Sequence, residues 1–153
     1  MLSMKAKYGL RAMLFLAREY GEGPILISEI ARKEAIPKKF LELILLELRN
    51  TGYLHSKKGK GGGYYLGKSP QQISLGEIIR ILDGPLAPIP CVSLTAYRRC
   101  PDCPDEKTCG IRVVMKEVRD ATARILDGTT LADVLAQTDQ GSSNAQEVLH
   151  FQI

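Results

Sequence analysis

The sequence predicts a mainly α-helical fold with one small β-hairpin, and three observations support this prediction. Apolar residues recur three and four positions apart in several segments, as they do on the buried face of a helix. Two of these segments form a short helix, a tight turn and a second amphipathic helix. A basic, glycine-rich segment with strand-forming residues on both sides follows them. This order is typical of a winged helix-turn-helix domain, here followed by a long C-terminal helix.

The first predicted helix covers residues 3–20. Its apolar positions have helical spacing and are Ala6, Leu10, Met13, Leu14 and Ala17. The segment GEGP at 21–24 ends this helix, because glycine and proline interrupt helices.

The helix-turn-helix is predicted from the next thirty residues or so. Ser28 is placed to cap a short helix whose inner face carries Ile30 and Ala31. Pro37 suits the first turn of a second helix, which extends to about Asn50. One face of that second helix is apolar and consists of Leu41, Ile44, Leu45 and Leu48.

Two lysines, Lys38 and Lys39, stand at the start of this second helix. Cations there oppose the helix dipole, which favours anions at an N-terminus. A phosphate lying across the helix end would convert that small cost into a gain. The alternative is that both side chains simply point into water.

The predicted hairpin pairs residues 53–55 with residues 64–66. Residues 48–76 contain five Lys and Arg and no acidic residue. The lysines at the hairpin tip, Lys57, Lys58 and Lys60, would therefore reach phosphates or a minor groove. The segment GGYYLGKS at 62–69 also fits the phosphate-loop pattern. That pattern requires a helix directly after it, and Pro70 follows instead, so we do not expect nucleotide binding.

The remaining chain divides into a helix, a loop and two further helices. Ser74 is placed to cap a helix over 73–82, and a proline-rich loop covers 84–110. The long helix that follows has a heptad-like apolar seam, at Ile111, Val114, Val118, Ala121 and Ile125. Thr130 is placed to cap a short last helix that includes Leu135. The predicted units are residues 1–83, 84–110, 111–137 and a mobile tail at 138–153.

The net charge of +4 is unevenly distributed. Residues 1–76 contain 13 Lys and Arg against 6 Asp and Glu, whereas residues 77–153 contain 8 against 11. A basic N-terminal half favours a polyanionic partner.

The sequence has no run of eighteen apolar residues and no recognisable signal peptide, which predicts a cytoplasmic protein without membrane contact. The two histidines, His55 and His150, lie in the predicted wing and tail and give no obvious base for a nucleophile, so we find no catalytic set.

All four cysteines lie within nineteen residues, at Cys91, Cys100, Cys103 and Cys109. Clustered thiols in a reducing compartment are more often metal ligands or redox groups than structural disulfides. Four thiolates suit iron–sulfur clusters and also suit zinc. A third possibility is a metal-free switch that forms a Cys100–Cys103 or Cys91–Cys109 disulfide. We expect Arg98, Arg99 and Lys107 to lower the pKa of the thiols.

The order of elements, with GKGGGYYLGKSP in the wing and ISLGEIIRILDGP after it, resembles the Rrf2 family of winged-helix transcription regulators. The resemblance covers roughly residues 1–136. It implies a homodimer joined by the long helix and bound to palindromic double-stranded DNA. It also implies DNA contacts, which fall here on Lys38, Lys39, Phe40 and Glu42 of the second helix and on Lys58 and Gly59 of the wing.

The resemblance also bears on the cysteines, because family members that bind a cluster carry three cysteines just before the long helix. Cys103 and Cys109 match the last two, and the first corresponds to Cys91 or Cys100. Arg112 stands where some relatives place a ligating histidine, and arginine does not ligate metals at ordinary pH. The resemblance therefore implies an all-cysteine iron–sulfur site of the [2Fe-2S] type, with zinc or no metal as alternatives.

Overall fold

The computed structural model describes the backbone of residues 1–151 and the side chains of residues 1–142. It is mainly helical with one antiparallel hairpin, as the sequence predicts. In chain order the elements are α1 (Met4–Arg18), α2 (Ile27–Glu34), α3 (Lys38–Asn50), β1 (Leu54–Lys57), β2 (Gly63–Leu66), α4 (Leu75–Asp83), α5 (Gly110–Asp127) and α6 (Leu131–Phe151). Among the described residues, no helix is both long and apolar enough to cross a membrane.

The core lies where α1 packs against α3 and α4. The fully buried side chains of α3 are those of its predicted apolar face, Leu41, Ile44, Leu45 and Leu48. Gly9 allows the close approach of α1, because a β-carbon there would overlap the end of the Leu82 side chain and lie 3.3 Å from Ile44 Cγ2. Ser3 caps α1, and its backbone N–H donates to Asp83 Oδ2 at 2.9 Å, which ties the start of α1 to the end of α4.

The helix-turn-helix is formed by α2, a three-residue turn and α3. Ala35 ends α2 in the left-handed conformation, with φ 51°. The prediction that Ser28 caps α2 is wrong, because the helix already begins at Ile27 and has no side-chain cap. The reason is long-range: Ile25 is bridged to Tyr64 by backbone hydrogen bonds of 2.9 and 2.8 Å, so the chain leaves an extended segment directly into the helix.

The wing is an antiparallel hairpin in which Leu54 pairs with Leu66 and Lys57 pairs with Gly63. The Ile25 bridge adds one residue of a third strand at the β2 edge. Gly63, with φ 140°, permits this approach, because a side chain there would overlap the Ile25 backbone. The strands are shifted by about one residue from the predicted ones, and both predicted segments contribute to them.

The junction between α4 and α5 contains a bidentate ion pair. Arg80 donates to the two carboxylate oxygens of Asp127 at 2.6 and 2.8 Å. This hydrogen bonding holds the pKa of Asp127 below its usual value. Gly76 leaves room for the pair, since a β-carbon there would overlap the Asp127 carboxylate. Ser74 caps α4 as predicted, in a capping box with Glu77.

The last helix, α6, is longer than the short helix predicted from Thr130 to Leu135. Its start is held by Leu131, which is fully buried, and it packs against α1. It continues through the polar residues that follow, where Thr138 Oγ1 donates to Val134 O and Ser142 Oγ donates to Thr138 O within the helix. The side chains of residues 143–153 lie outside the described part of the chain, and the mobility of the tail stays a prediction.

The close approach at Gly9 gives a stability prediction. We expect Gly9→Ala to lower the free energy of unfolding by about 1–3 kcal/mol, because the added methyl group forces Leu82 to move within a packed core. The matched control is Gly141→Ala in α6, where a β-carbon meets no atom of the described residues within 4 Å. That control should be neutral or stabilising by about 0.5–1 kcal/mol. Urea denaturation followed by circular dichroism measures both, and equal stability of the two variants would contradict the account.

Candidate functional site

The outward face of α3 is the first candidate surface. Its exposed residues are Lys38, Lys39, Glu42, Leu43, Leu46 and Asn50. Phe40 is not on this face, since its half-buried ring packs edge-on against Tyr8 with centroids 5.6 Å apart. Two of the four residues expected to contact DNA, Lys38 and Lys39, lie together at the start of the helix, and Glu42 lies one turn later.

The N-terminus of α3 offers backbone donors to an anion. Its N-cap is Pro37, which makes no side-chain capping bond, and its first turn contains no acidic residue. The first N–H groups of a helix have no partner within the helix, so they and the two lysines form a cationic end. Glu42 takes part in none of the ion pairs among the described side chains, whereas Glu47 is paired with Lys5 at 2.6 Å.

The wing tip is the second basic feature. Lys57 ends β1, and Lys58, Gly59 and Lys60 continue into the exposed turn. Gly59 and Gly61 have φ of 89° and 74°, which other residues adopt only with strain. Arg49, near the end of α3, donates to Ser56 Oγ in β1 at 3.3 Å and so links the helix to the wing.

The phosphate-loop pattern at 62–69 has the wrong structure for nucleotide binding. Gly63–Leu66 is strand β2, which is paired with β1 throughout. The chain then enters a short 3₁₀ turn at Pro70–Gln72 rather than an α-helix. The backbone N–H groups needed to cradle a phosphate are therefore not gathered in a loop before a helix.

A cleft of about 780 Å³ collects all four cysteines. The cysteine loop and the first turn of α5 form its walls. Its lining includes three arginines and two aspartates besides the thiols; these are Arg98, Arg99, Arg112, Asp102 and Asp105. Lys107, which was expected to act on the thiol pKa together with Arg98 and Arg99, does not line this cleft.

The four thiols differ in exposure and all are free. Cys91 lies in a 3₁₀ turn and is 8% exposed, Cys100 is exposed, and Cys103 and Cys109 are half-buried. Within the described part of the chain, no three His, Cys, Asp or Glu side chains converge closely enough to hold a metal ion. The cleft thus gathers the donor atoms around one space without bringing them to ligand distance.

Hydrogen bonds fix the turn between Cys100 and Cys103. The Cys103 N–H donates to Cys100 O at 3.1 Å, and Arg99 donates to Cys103 O at 3.2 Å. The Cys100 thiol donates to Asp102 Oδ1 at 2.8 Å, which raises the pKa of Cys100. For this thiol the expected lowering of the pKa by nearby cations is wrong, because the adjacent carboxylate favours the protonated form.

Arg112, which lines the cleft, has one buried atom without a hydrogen-bond partner. Its Nε is buried and makes no hydrogen bond to any described residue. A buried N–H without an acceptor is unfavourable, and a guanidinium is a donor only. Arg112, Arg98 and Arg99 together give the lining of the cleft three cationic side chains.

Arg119 joins the cysteine loop to α5, a contact that sequence reasoning did not find. This side chain is 13% exposed, and its Nη1 donates to Val92 O, next to Cys91, at 2.7 Å.

On another face of α5 the predicted apolar seam is exposed in the single chain. The exposed fractions of Ile111, Val114, Val118 and Ile125 are 68, 52, 42 and 59%. Ala121 is half-buried, and no residue of α5 is buried.

Comparison with known proteins identifies the family of the chain. The Rrf2 family model, described as an iron-dependent transcriptional regulator, matches residues 2–137. A putative HTH-type transcriptional regulator, rrf2-like, from Rhodobacter capsulatus is 45% identical over 139 residues, which is 89% of this chain and 93% of that protein.

Two solved structures resemble the chain along most of its length. CymR, the global cysteine regulator of Bacillus subtilis, is 35% identical with a TM-score of 0.75, over 90% of this chain and 97% of that one. IscR of T. potens is 30% identical with a TM-score of 0.74, over 92% of this chain and 90% of that one.

Proposed function

The chain belongs to the Rrf2 family of transcriptional regulators, and from this premise we propose that it is a homodimeric repressor whose operator binding depends on the state of the four-cysteine cleft. It is a regulator, as its relatives are, and not an enzyme. The observation that carries the proposal is that one cleft, beside the first turn of α5, collects every cysteine of the chain.

DNA binding is assigned to α3 and the wing. The exposed start of α3 enters the major groove, where Lys38 and Lys39 contact phosphates and Glu42 accepts a hydrogen bond from a cytosine N4 amine. Lys57, Lys58, Gly59 and Lys60 of the wing contact the adjacent backbone. Phe40 supports the helix from beneath through Tyr8 rather than contacting a base.

The dimer is assigned to α5. Four large apolar side chains of its seam are between 42 and 68% exposed, and a second copy of the helix would remove them from water. The two-fold axis that relates the paired α5 helices also relates the two copies of α3, one from each subunit. Such a dimer requires a palindromic operator whose half-sites lie about one helical turn of DNA apart.

An iron–sulfur cluster of the [2Fe-2S] type is the ligand we propose for the cleft. Cys91, Cys100, Cys103 and Cys109 would hold it, since thiolates are the usual ligands of such clusters. The guanidinium groups of Arg98, Arg99 and Arg112, which line the cleft, would offset the negative charge of a four-thiolate site. When bound, the cluster supplies a redox state and a sensitivity to oxidants that the chain lacks on its own.

Two alternatives retain the assignment as a transcriptional regulator and differ in what controls the cysteine cleft. Zinc suits the same four thiolates. A metal-free thiol switch is favoured by the exposure of Cys100 and by the absence of converging donors among the described residues. In that case Cys100–Cys103 or Cys91–Cys109 would form the disulfide.

The cleft is connected to the dimer helix at two places. Cys109 is the N-cap of α5, and Arg119 holds the Val92 carbonyl beside Cys91. A change in the cysteine loop therefore acts on α5 at its first turn and again two turns later. Because Arg80 of α4 holds Asp127 at the other end of α5, the shift reaches the DNA-binding half of each subunit. A ligand drives such a shift only through its different affinities for the two arrangements.

Removal of basic side chains tests the DNA contacts. We expect Lys39→Ala and Lys58→Ala to weaken operator binding and to reduce the slope of log affinity against log salt, by about one for each phosphate that is no longer neutralised. Fluorescence anisotropy with labelled duplex at several salt concentrations measures both quantities. Lys116→Ala is the matched control, because it removes the same charge from α5, outside α3 and the wing. Equal slopes for all three variants would contradict the assignment.

Metal and sulfide analysis tests the ligand of the cleft. Protein purified without oxygen should contain iron and acid-labile sulfide at about two of each per chain, with a visible charge-transfer band. Cys103→Ala should lose most of both, because it removes a ligand. Thr108→Ala, which changes a cleft residue without a thiol, should keep them.

Other results would replace the cluster and leave the family assignment unchanged. Zinc without sulfide would make the cleft a zinc site. No metal, together with thiols that oxidise reversibly, would make it a disulfide switch.

A further inference from the structure

Two leucines on α3 are exposed although the rest of its apolar side chains are covered. Leu43 is 60% exposed and Leu46 is 39% exposed. The other leucines and the isoleucine of the helix are fully buried, namely Leu41, Ile44, Leu45 and Leu48. A single exposed leucine on a protein surface needs no explanation. These two, however, lie on the face of α3 that carries Lys39 and Glu42.

Leu43 is placed nearer than Leu46 to the end of the helix that contacts bases. It stands four residues after Lys39, one turn along the same face, and directly after Glu42. In helix-turn-helix proteins the N-terminal residues of the second helix reach the base edges. Leu46 lies a further turn away, toward the end where Arg49 is bonded to Ser56 of the wing.

The chemistry of leucine selects one group in the major groove. Its side chain neither donates nor accepts a hydrogen bond. A polar base edge that faced it would therefore have no hydrogen-bond partner. The 5-methyl group of thymine is the apolar group that the major groove presents. Contact between the two would remove apolar surface of both from water.

We infer that Leu43 reads the 5-methyl group of one thymine in each half-site of the operator. The inference rests on the proposed placement of α3 in the major groove. It adds a preference for thymine to the cytosine contact proposed for Glu42, whereas Lys38 and Lys39 contact phosphates and carry no base preference.

The test replaces each thymine of the operator in turn by deoxyuridine, which differs only in lacking the 5-methyl group. The operator is obtained by in vitro selection with the full-length protein. One thymine per half-site should be sensitive, with binding by the unmodified protein about three- to fivefold weaker after replacement. Leu43→Ala should bind the thymine and deoxyuridine duplexes equally at that position. Because Leu43 is exposed, this variant should keep its thermal midpoint.

Control variants separate the possible outcomes. Lys58→Ala should lose affinity by the same factor for every duplex and keep the thymine preference. If Leu43→Ala retains the sensitivity and Leu46→Ala abolishes it, the assignment to Leu43 is overturned. If the unmodified protein binds a selected operator and no thymine replacement matters, methyl readout is overturned while the proposed function stands. If no operator is selected, the proposed function fails as well.

Discussion

The absence of a side chain at Gly9 is the constraint on which the rest of the structure depends. It lets α1 lie against Leu82 of α4 and Ile44 of α3, within one core that also includes residues of α2, the wing and α6. That core leaves only the outward face of α3 free, and this face carries the lysines and Leu43. The geometry of DNA recognition is therefore set by packing beneath the helix, where even one added methyl group must displace a neighbour.

Helix α5 lies outside this core, whereas α6 enters it through the fully buried Leu131. No residue of α5 is buried, and the Arg80–Asp127 pair and the Arg119 bond to Val92 O hold the helix in place. Exposed ion pairs contribute little stability, about 1 kcal/mol or less. A helix that links the cysteine cleft to α4 by such contacts suits a regulator, because modest ligand energies can then shift its position.

The features that the sequence predicted correctly depend on local patterns. The apolar face of α3 and the cap at Ser74 follow from residues within a few positions of one another. For α1 the same pattern was right for Ala6, Met13 and Ala17, whereas Leu10 and Leu14 are only half-buried. The features it missed depend on partners distant in sequence. The backbone bridge between Tyr64 and Ile25 moves the start of α2. The ring of Phe40 packs against Tyr8, and Arg119 donates to the Val92 carbonyl. At the cleft, the sequence showed that the four thiols lie close together along the chain. Only the fold showed that Arg112 lines the same cleft and that its Nε is buried without a hydrogen bond.

The most direct test of the account is the operator affinity of one oxygen-free preparation, measured before and after the metal is removed from the cleft, at the same salt concentration. The account predicts that the two affinities differ by about tenfold or more, within the usual range of allosteric coupling. Cys103→Ala should show a single affinity under both treatments. Equal affinities of the metal-loaded and metal-free protein would contradict the claim that the four-cysteine cleft controls DNA binding.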